Sequence, residues 1–261
     1  MKRSSGARLC ATAALGALSL SLLTACSDEG SKESADPKAS SSSSAPASSA
    51  PAAKALTTAE LEKLLLAQGE LKGYKVDSGN DTLPASKKQV KTDKPACDPL
   101  AWATAGLAPG DTDANASNTV SEDKSSAATA KPTDIEAAFD VDLTFVGLSS
   151  YEGDGAEKAM KAVSDGVTAC AGGYGLAADG EKSKVTKVTA EKGATKGDET
   201  VAFSEDVDMD GEGTATFHTV VMRKGNTLAS FYTVNFAAFS KGGEMGDIPA
   251  AVVDAQVAKL K

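Results

Sequence analysis

The chain has 261 residues, 41% of them hydrophobic and 24% charged, with a formal net charge of −9 and four cysteines. Acidic surfaces are repelled by nucleic-acid backbones and by anionic lipid headgroups, which excludes both as direct partners. The length accommodates one domain with a core of its own once low-complexity stretches are set aside.

The chain opens on "MKRSSGAR", a positive segment with Lys2, Arg3 and Arg8, followed by the apolar run "LCATAALGALSLSLLTA". That run is short for a membrane span and has the form of a signal peptide, residues 1–25. It ends in Leu23-Thr24-Ala25-Cys26, the form of a bacterial lipobox. Small side chains give a signal peptidase access to the bond after Ala25, and the Cys26 thiol is the nucleophile that takes a diacylglycerol thioether. Two or three acyl chains hold a protein stably at a membrane, whereas one holds it marginally. The expectation is a lipid-anchored protein on the extracytoplasmic face of the cell membrane, its membrane contact made through Cys26.

Residues 26–54 are rich in Ser, Ala and Pro, with almost nothing apolar larger than alanine. Such a stretch cannot bury enough surface to offset its ordering entropy and reads as a disordered tether with a reach on the order of 30 Å. Residues 55–261 remain as one folded domain.

"LTTAELEKLLLAQG" begins that domain with a capping box, Thr57 with Glu60, and a stripe of Leu61, Leu64 and Leu65; Gly69 is the expected stop. "ELKGYKV" reads as a short strand and residues 77–96 as a polar loop. "CDPLAWATAGL" reads as a short helix capped by Asp98, with Trp102 packing over a neighbouring disulfide. Residues 109–133 are small and polar, a surface excursion. "IEAAFDVDLTFVGL" alternates Ala137, Phe139, Val141, Leu143 and Phe145 with polar residues, as a half-buried strand does.

"DGAEKAMKAVSDGVTACAGG" places Ala156, Met160, Val163, Val167 and Cys170 at helical spacing. Cys10 leaves with the leader and Cys26 carries lipid, so Cys97 and Cys170 remain as a pair in an oxidising compartment. No C-x-x-C spacing supports a redox or nucleophilic role, and a disulfide closing this loop is worth about 4 kcal/mol on the chain-entropy model.

"KSKVTKVT" reads as a strand. "ETVAFSEDVDM", "GTATFHTVVMR" and "TLASFYTVNFAAF" then form a three-strand antiparallel meander. Keeping one apolar face pairs Phe203 with Phe217, Phe217 with Val234 and Val221 with Ser230. Val201, Phe203, Val207, Ala215, Phe217, Val221, Tyr232, Val234 and Phe236 share that face. "IPAAVVDAQVAKLK" closes the chain as a helix with Val253, Val257 and Leu260 along one side.

Asp206, Asp208, Asp210 and Gly211 spell the first half of an EF-hand loop. The twelfth position, which should hold a bidentate glutamate, is Phe217, and strands rather than helices flank the loop. Solvated strand carboxylates are the preferred reading, with weak calcium binding as the alternative; no metal or cofactor is assigned. "GYGLAA" follows a helix instead of a strand, which argues against a dinucleotide fingerprint. "SEDK" at Ser121 lacks the partner motifs of penicillin-binding enzymes. His218, the single histidine, has no serine or cysteine partner in view, and the expectation is a non-enzyme.

The order "TTAELEKLLL", "CDPLAW", "EKAMKAVSDGVTAC", "KGDETVAFS", "VVMRKGNTLASFYTVNF", "AAVVDAQVAKL" resembles the PknH-like extracellular sensor domains of high-GC Gram-positive bacteria. The resemblance covers most of residues 55–261. It implies an α+β fold, an antiparallel sheet packed against helices around a cleft, and a ligand or protein partner of the cell envelope. Kinase members of that family often carry two disulfides, whereas this chain has cysteines for one. The expected function is a non-catalytic, sensor-like binding module. A carrier of a lipid or hydrophobic molecule is the alternative, and a wall hydrolase stands behind both.

Overall fold

The computed structural model describes residues 54–78, 83–123, 141–193, 196–209, 213–239 and 242–260. The signal peptide ending at Ala25, Cys26, the tether up to residue 53, Ala137, Phe139, Asp210 and Gly211 lie outside the described residues.

The domain is α+β, built on one ten-stranded sheet. Its first half comprises α1 (Thr58–Leu64), β1 (Tyr74–Asp77), β2 (Val90–Thr92), α2 (Asp98–Ala103), β3 (Asn115–Glu122) and β4 (Asp142–Ser150). After α3 (Gly155–Ala169) come β5 (Tyr174–Ala178), β6 (Glu181–Glu191), β7 (Glu199–Asp208), β8 (Thr214–Lys224) and β9 (Thr227–Asn235). The chain closes through α4 (Phe236–Phe239), β10 (Gly243–Glu244) and α5 (Ala250–Ala258). The strand order is β1-β3-β4-β9-β8-β7-β6-β5-β2, antiparallel throughout, with β10 added in parallel to the far end of β8.

Both faces of the sheet are buried. On one face α2 and α3 cover Phe203, Val221, Leu228, Val185 and Val188. On the other, Val120, Val146, Leu148, Met222 and Phe231 pack with the leucines of α1 and with Val252 and Val253 of α5. This is why β4 departs from the half-buried alternation expected of it: Thr144 through Ser150 are all buried, with α1 packed on one face and the chain leaving α2 over Gly147 on the other.

Helix α3 buries Ala156, Ala159, Met160, Val163 and Val167, the stripe legible in its sequence. Cys170 follows at its C-terminal cap and is bonded to Cys97, with the two Cα atoms 5.9 Å apart. The bridge ties the end of α3 to the turn that enters α2. That turn is a 3-10 segment, Pro95–Cys97, and Asp98 does not cap the helix as expected. Its carboxylate instead accepts the Thr92 hydroxyl at 2.7 Å and the Thr92 N–H at 3.2 Å, fastening α2 to β2. The chain leaving α2 lies close on the sheet over Gly147. A Cβ there would come within 2.6 Å of the Gly106 carbonyl oxygen, so the approach requires glycine.

The capping box of α1 is present, with Thr57 Oγ1 accepting the Glu60 N–H and the Glu60 carboxylate accepting the Thr57 N–H at 2.8 Å. The helix ends at Leu64, however, well before Gly69. Leu65 and Leu66 turn into the core, and the backbone groups this leaves are met by α5. Gln256 Nε2 donates to the Leu64 carbonyl at 2.8 Å, Gln256 Oε1 accepts the Leu66 N–H at 3.0 Å, and Lys259 Nζ donates to the Leu65 carbonyl at 2.7 Å.

Three strands fall where the sequence reads as loop or turn. β2 and β3 lie in the two stretches expected to be polar excursions, and β5 is formed by the "YGLAA" letters. In β3 the alternation exists, but one buried position is Asn118, which donates to the Leu66 carbonyl at 2.7 Å and so hides the apolar pattern. The meander keeps the expected parity with a register offset by two residues: Phe203 pairs with Thr219 and Glu205 with Phe217. The second hairpin pairs Val221 with Ser230 as expected. Phe236 leaves the shared face, since the strand has ended and α4 begins there, and it is 47% exposed.

Reduction of Cys97–Cys170, or its replacement by Cys97→Ala/Cys170→Ala, is expected to lower unfolding stability by roughly 2–4 kcal/mol. Urea denaturation followed by circular dichroism checks this; an unchanged midpoint contradicts a structural role for the bridge.

Candidate functional site

The face that carries Phe203 and Val221 is not wholly filled by helices. Between α2 and the sheet lies a cleft of about 1020 Å³, lined by Val90, Ala101, Thr104 and Ala105 on one side and by Tyr174, Leu176, Val207, Phe217 and Tyr232 on the other. Glu205 also lines it and is 3% exposed. The alternation of β7 puts residue 205 on the same side as Phe203 and Val207, so a carboxylate projects into a layer otherwise built of apolar side chains.

Hydroxyl groups meet that carboxylate. The Tyr174 phenol donates to Oε1 at 2.5 Å and the Thr104 hydroxyl donates to Oε2 at 2.9 Å. The Thr104 oxygen lies 3.0 Å from the Thr219 hydroxyl, which is left as the donor because Thr104 has spent its one proton on Glu205. Burial pushes the Glu205 carboxyl above its ordinary pKa, and the two hydroxyl hydrogen bonds work against that rise. Burial and the adjacent Glu205 both hold the Tyr174 phenol well above its usual range, so it stays protonated and donating. Among the described residues no cation pairs with Glu205. Phe145 stacks on Tyr232 with ring centroids 4.8 Å apart, stiffening the far wall.

The residues singled out in the sequence are scattered. Asp206 lies on the opposite face, where its Oδ1 accepts the Thr216 hydroxyl at 2.9 Å. Asp208 sits at the cleft's edge, and Asp210 is outside the described residues. Among the described residues no group of three His, Cys, Asp or Glu side chains is placed so that it could hold a metal ion. Trp102 packs against the cluster containing Cys97 and Cys170, and Lys87 Nζ lies 5.0 Å above its ring, covering the face a sugar would use. "GYGLAA" is a strand without a following helix N-terminus, and Ser121 is paired with Lys75 inside the β1–β3 ladder rather than in a loop. Glu205, Tyr174 and Thr104 were not singled out. The available signal was parity: a glutamate between Phe203 and Val207 on the apolar side of a strand.

His218 is on the second face, 27% exposed, and bridges three strands. Its Nδ1 lies 2.9 Å from Glu191 Oε1 on β6, and its Nε2 lies 2.6 Å from Glu244 Oε2 on β10. Ionised carboxylates only accept, so two such neighbours favour the doubly protonated ring, in which both nitrogens donate. Burial opposes that charge, but the hydrogen bonds to Glu244 and Glu191 outweigh it and raise the pKa above 6.5.

No family model and no curated relative matches the chain. Among solved structures, the crystal structure of the extracellular domain of PknH from Mycobacterium tuberculosis is similar, with 15% identity and a TM-score of 0.42. The match covers 79% of this chain and 95% of that one.

Because the folded-state pKa of His218 is raised, its contribution to stability is complete below pH about 6.5 and is lost as pH rises through the raised value. An NMR titration of the imidazole is expected to give a pKa above 6.5 in the native chain and a lower one in Glu244→Gln. Equal values in both contradict the bridge.

Proposed function

We propose that this protein is a cell-surface lipoprotein whose folded part is a non-catalytic, sensor-like binding module, recognising a ligand of the cell envelope in the cleft beneath α2. The observation that carries this reading is the floor of the cleft. Glu205 is charged or polar in every protonation state, is nearly inaccessible, and has its oxygens fixed by Tyr174 and Thr104. A polar group kept in an apolar layer costs stability, and a pre-set acceptor beside a cleft is the arrangement that ligand recognition requires.

The anchor is supported by the lipobox at Leu23–Cys26 and the low-complexity tether that follows. Among the described residues no helix is long and apolar enough to cross a membrane, which agrees with attachment through lipid on Cys26. Any signal would then pass through a partner protein. Hydrolysis of a wall glycan ordinarily uses two carboxyl groups placed across the scissile bond. The buried carboxyl at the cleft floor is Glu205, held in place by Tyr174 and Thr104.

A carrier of a hydrophobic molecule is the second reading, favoured by the size of the cleft and by its Leu176, Val207 and Phe217 walls. Recognition is preferred because a carrier gains nothing from a buried carboxylate.

Native mass spectrometry of protein extracted from its own membrane tests both halves. The expected result is diacylglyceryl on a mature chain starting at Cys26, with a non-covalent ligand that is lost in Ala105→Trp, where the cleft is narrowed. Cys26→Ser is expected in the soluble fraction. A Cys26→Ser chain that stays with the membrane contradicts the anchor, and ligand retained by Ala105→Trp contradicts the cleft.

A further inference from the structure

The cleft has a charge arrangement of its own. At its floor is Glu205, met by hydroxyls and by no cation among the described residues. At its rim are the carboxylates of Asp179 and Glu181 and the amine of Lys182. Between floor and rim the walls are apolar or aromatic, chiefly Leu176, Val207 and Phe217.

Each Glu205 oxygen accepts one hydroxyl, and a carboxylate oxygen has lone-pair capacity for a second donor. The two hydroxyls hold the carboxylate in place without neutralising it. A cation arriving there meets a buried carboxyl whose partners in the structure are hydroxyls, and pairing with it offsets the cost of burying that carboxyl in its charged form. The rim repels anions and attracts cations. A hydrated inorganic ion gains nothing from the walls, whereas an alkyl or aryl group does.

We infer that the cleft binds an organic ammonium compound, its apolar body against Leu176, Val207 and Phe217 and its charged head directed at Glu205. The inference rests on the cleft being the binding site proposed above, and it assigns that site a ligand class. Tyr174 and Thr104 act as positioning residues, because they fix the carboxylate that receives the head.

Three probes of one shape and different charge test this on the full chain: phenylbutylammonium, phenylbutanol and phenylbutyrate, followed by NMR chemical shifts of the protein. The ammonium is expected to bind about tenfold tighter than the alcohol or better, one charge-assisted hydrogen bond being worth at least that factor, with the carboxylate weakest. Shifts are expected at Leu176 and Phe217. In Glu205→Gln the preference for the ammonium over the alcohol is expected to disappear.

Equal binding of ammonium and alcohol by the native chain overturns the ammonium assignment and leaves the cleft as a binding site. An ammonium preference that survives Glu205→Gln, or shifts confined to the exposed acidic surface, overturns the role of Glu205. Failure of all three probes to shift the cleft residues overturns the assignment and the binding-site reading together. If Glu205→Gln does not fold by circular dichroism, the comparison of the three probes on the native chain still decides.

Discussion

A carboxylate sits on the core side of a sheet, and much of the architecture around it follows from having to accommodate it. Successive side chains on a strand point to opposite faces, so β7 cannot bury Phe203 and Val207 without turning Glu205 inward with them. An isolated buried charge is expensive, and the cost is met here by hydroxyls from two distant elements, Tyr174 on β5 and Thr104 at the end of α2. Those donors are useful only if α2 and β5 are held in register over β7. The disulfide joins the end of α3 to the entrance of α2, Asp98 ties α2 to β2, and β2 pairs with β5. Gly147 lets the chain beyond α2 rest on the sheet. Bridge, cap-like contact and glycine thus serve one geometric end.

The second face is organised differently. There the helices close against each other: the Gln256 amide satisfies both a donor and an acceptor at the end of α1, as a built-in cap supplied from the last helix. The His218 bridge adds an electrostatic tie among β6, β8 and β10. Apolar packing thus covers this face, while on the other α2 and α3 leave the cleft beside Glu205.

Much of the fold was legible in the sequence because it depends on local rules. The α1 capping box, the buried stripe of α3 and the parity of the meander follow from spacing, and the Cys97–Cys170 pair follows from setting aside Cys10 and Cys26. The parts that were not legible depend on tertiary context. β3 carries Asn118 at a buried position, acceptable only because the Leu66 carbonyl is there to receive its amide. β2 and β5 are short strands whose few apolar residues, Val90, Tyr174 and Leu176, are mixed with small or polar ones, and they pair because neighbouring strands offer them a ladder. The two-residue offset of the first hairpin leaves every side chain on its expected face, since the strand period is two. The candidate site was hidden for a related reason. Conspicuous letters such as Asp206, Asp208 and His218 lie on the other face or at the edge, while Glu205 stood unremarked between two residues already assigned to the core. Asking what each inward position contains, and not only which positions are apolar, would have found it.

Glu205 is a desolvated carboxyl held by hydroxyls in an otherwise apolar layer. A carbon-13 NMR titration of the glutamate side-chain carboxyls measures this directly. The expected result is a Glu205 signal that titrates above the ordinary glutamate range, apart from the exposed glutamates. A Glu205 signal that titrates together with them would mean that water reaches the carboxyl freely, and the cleft floor described here would not exist.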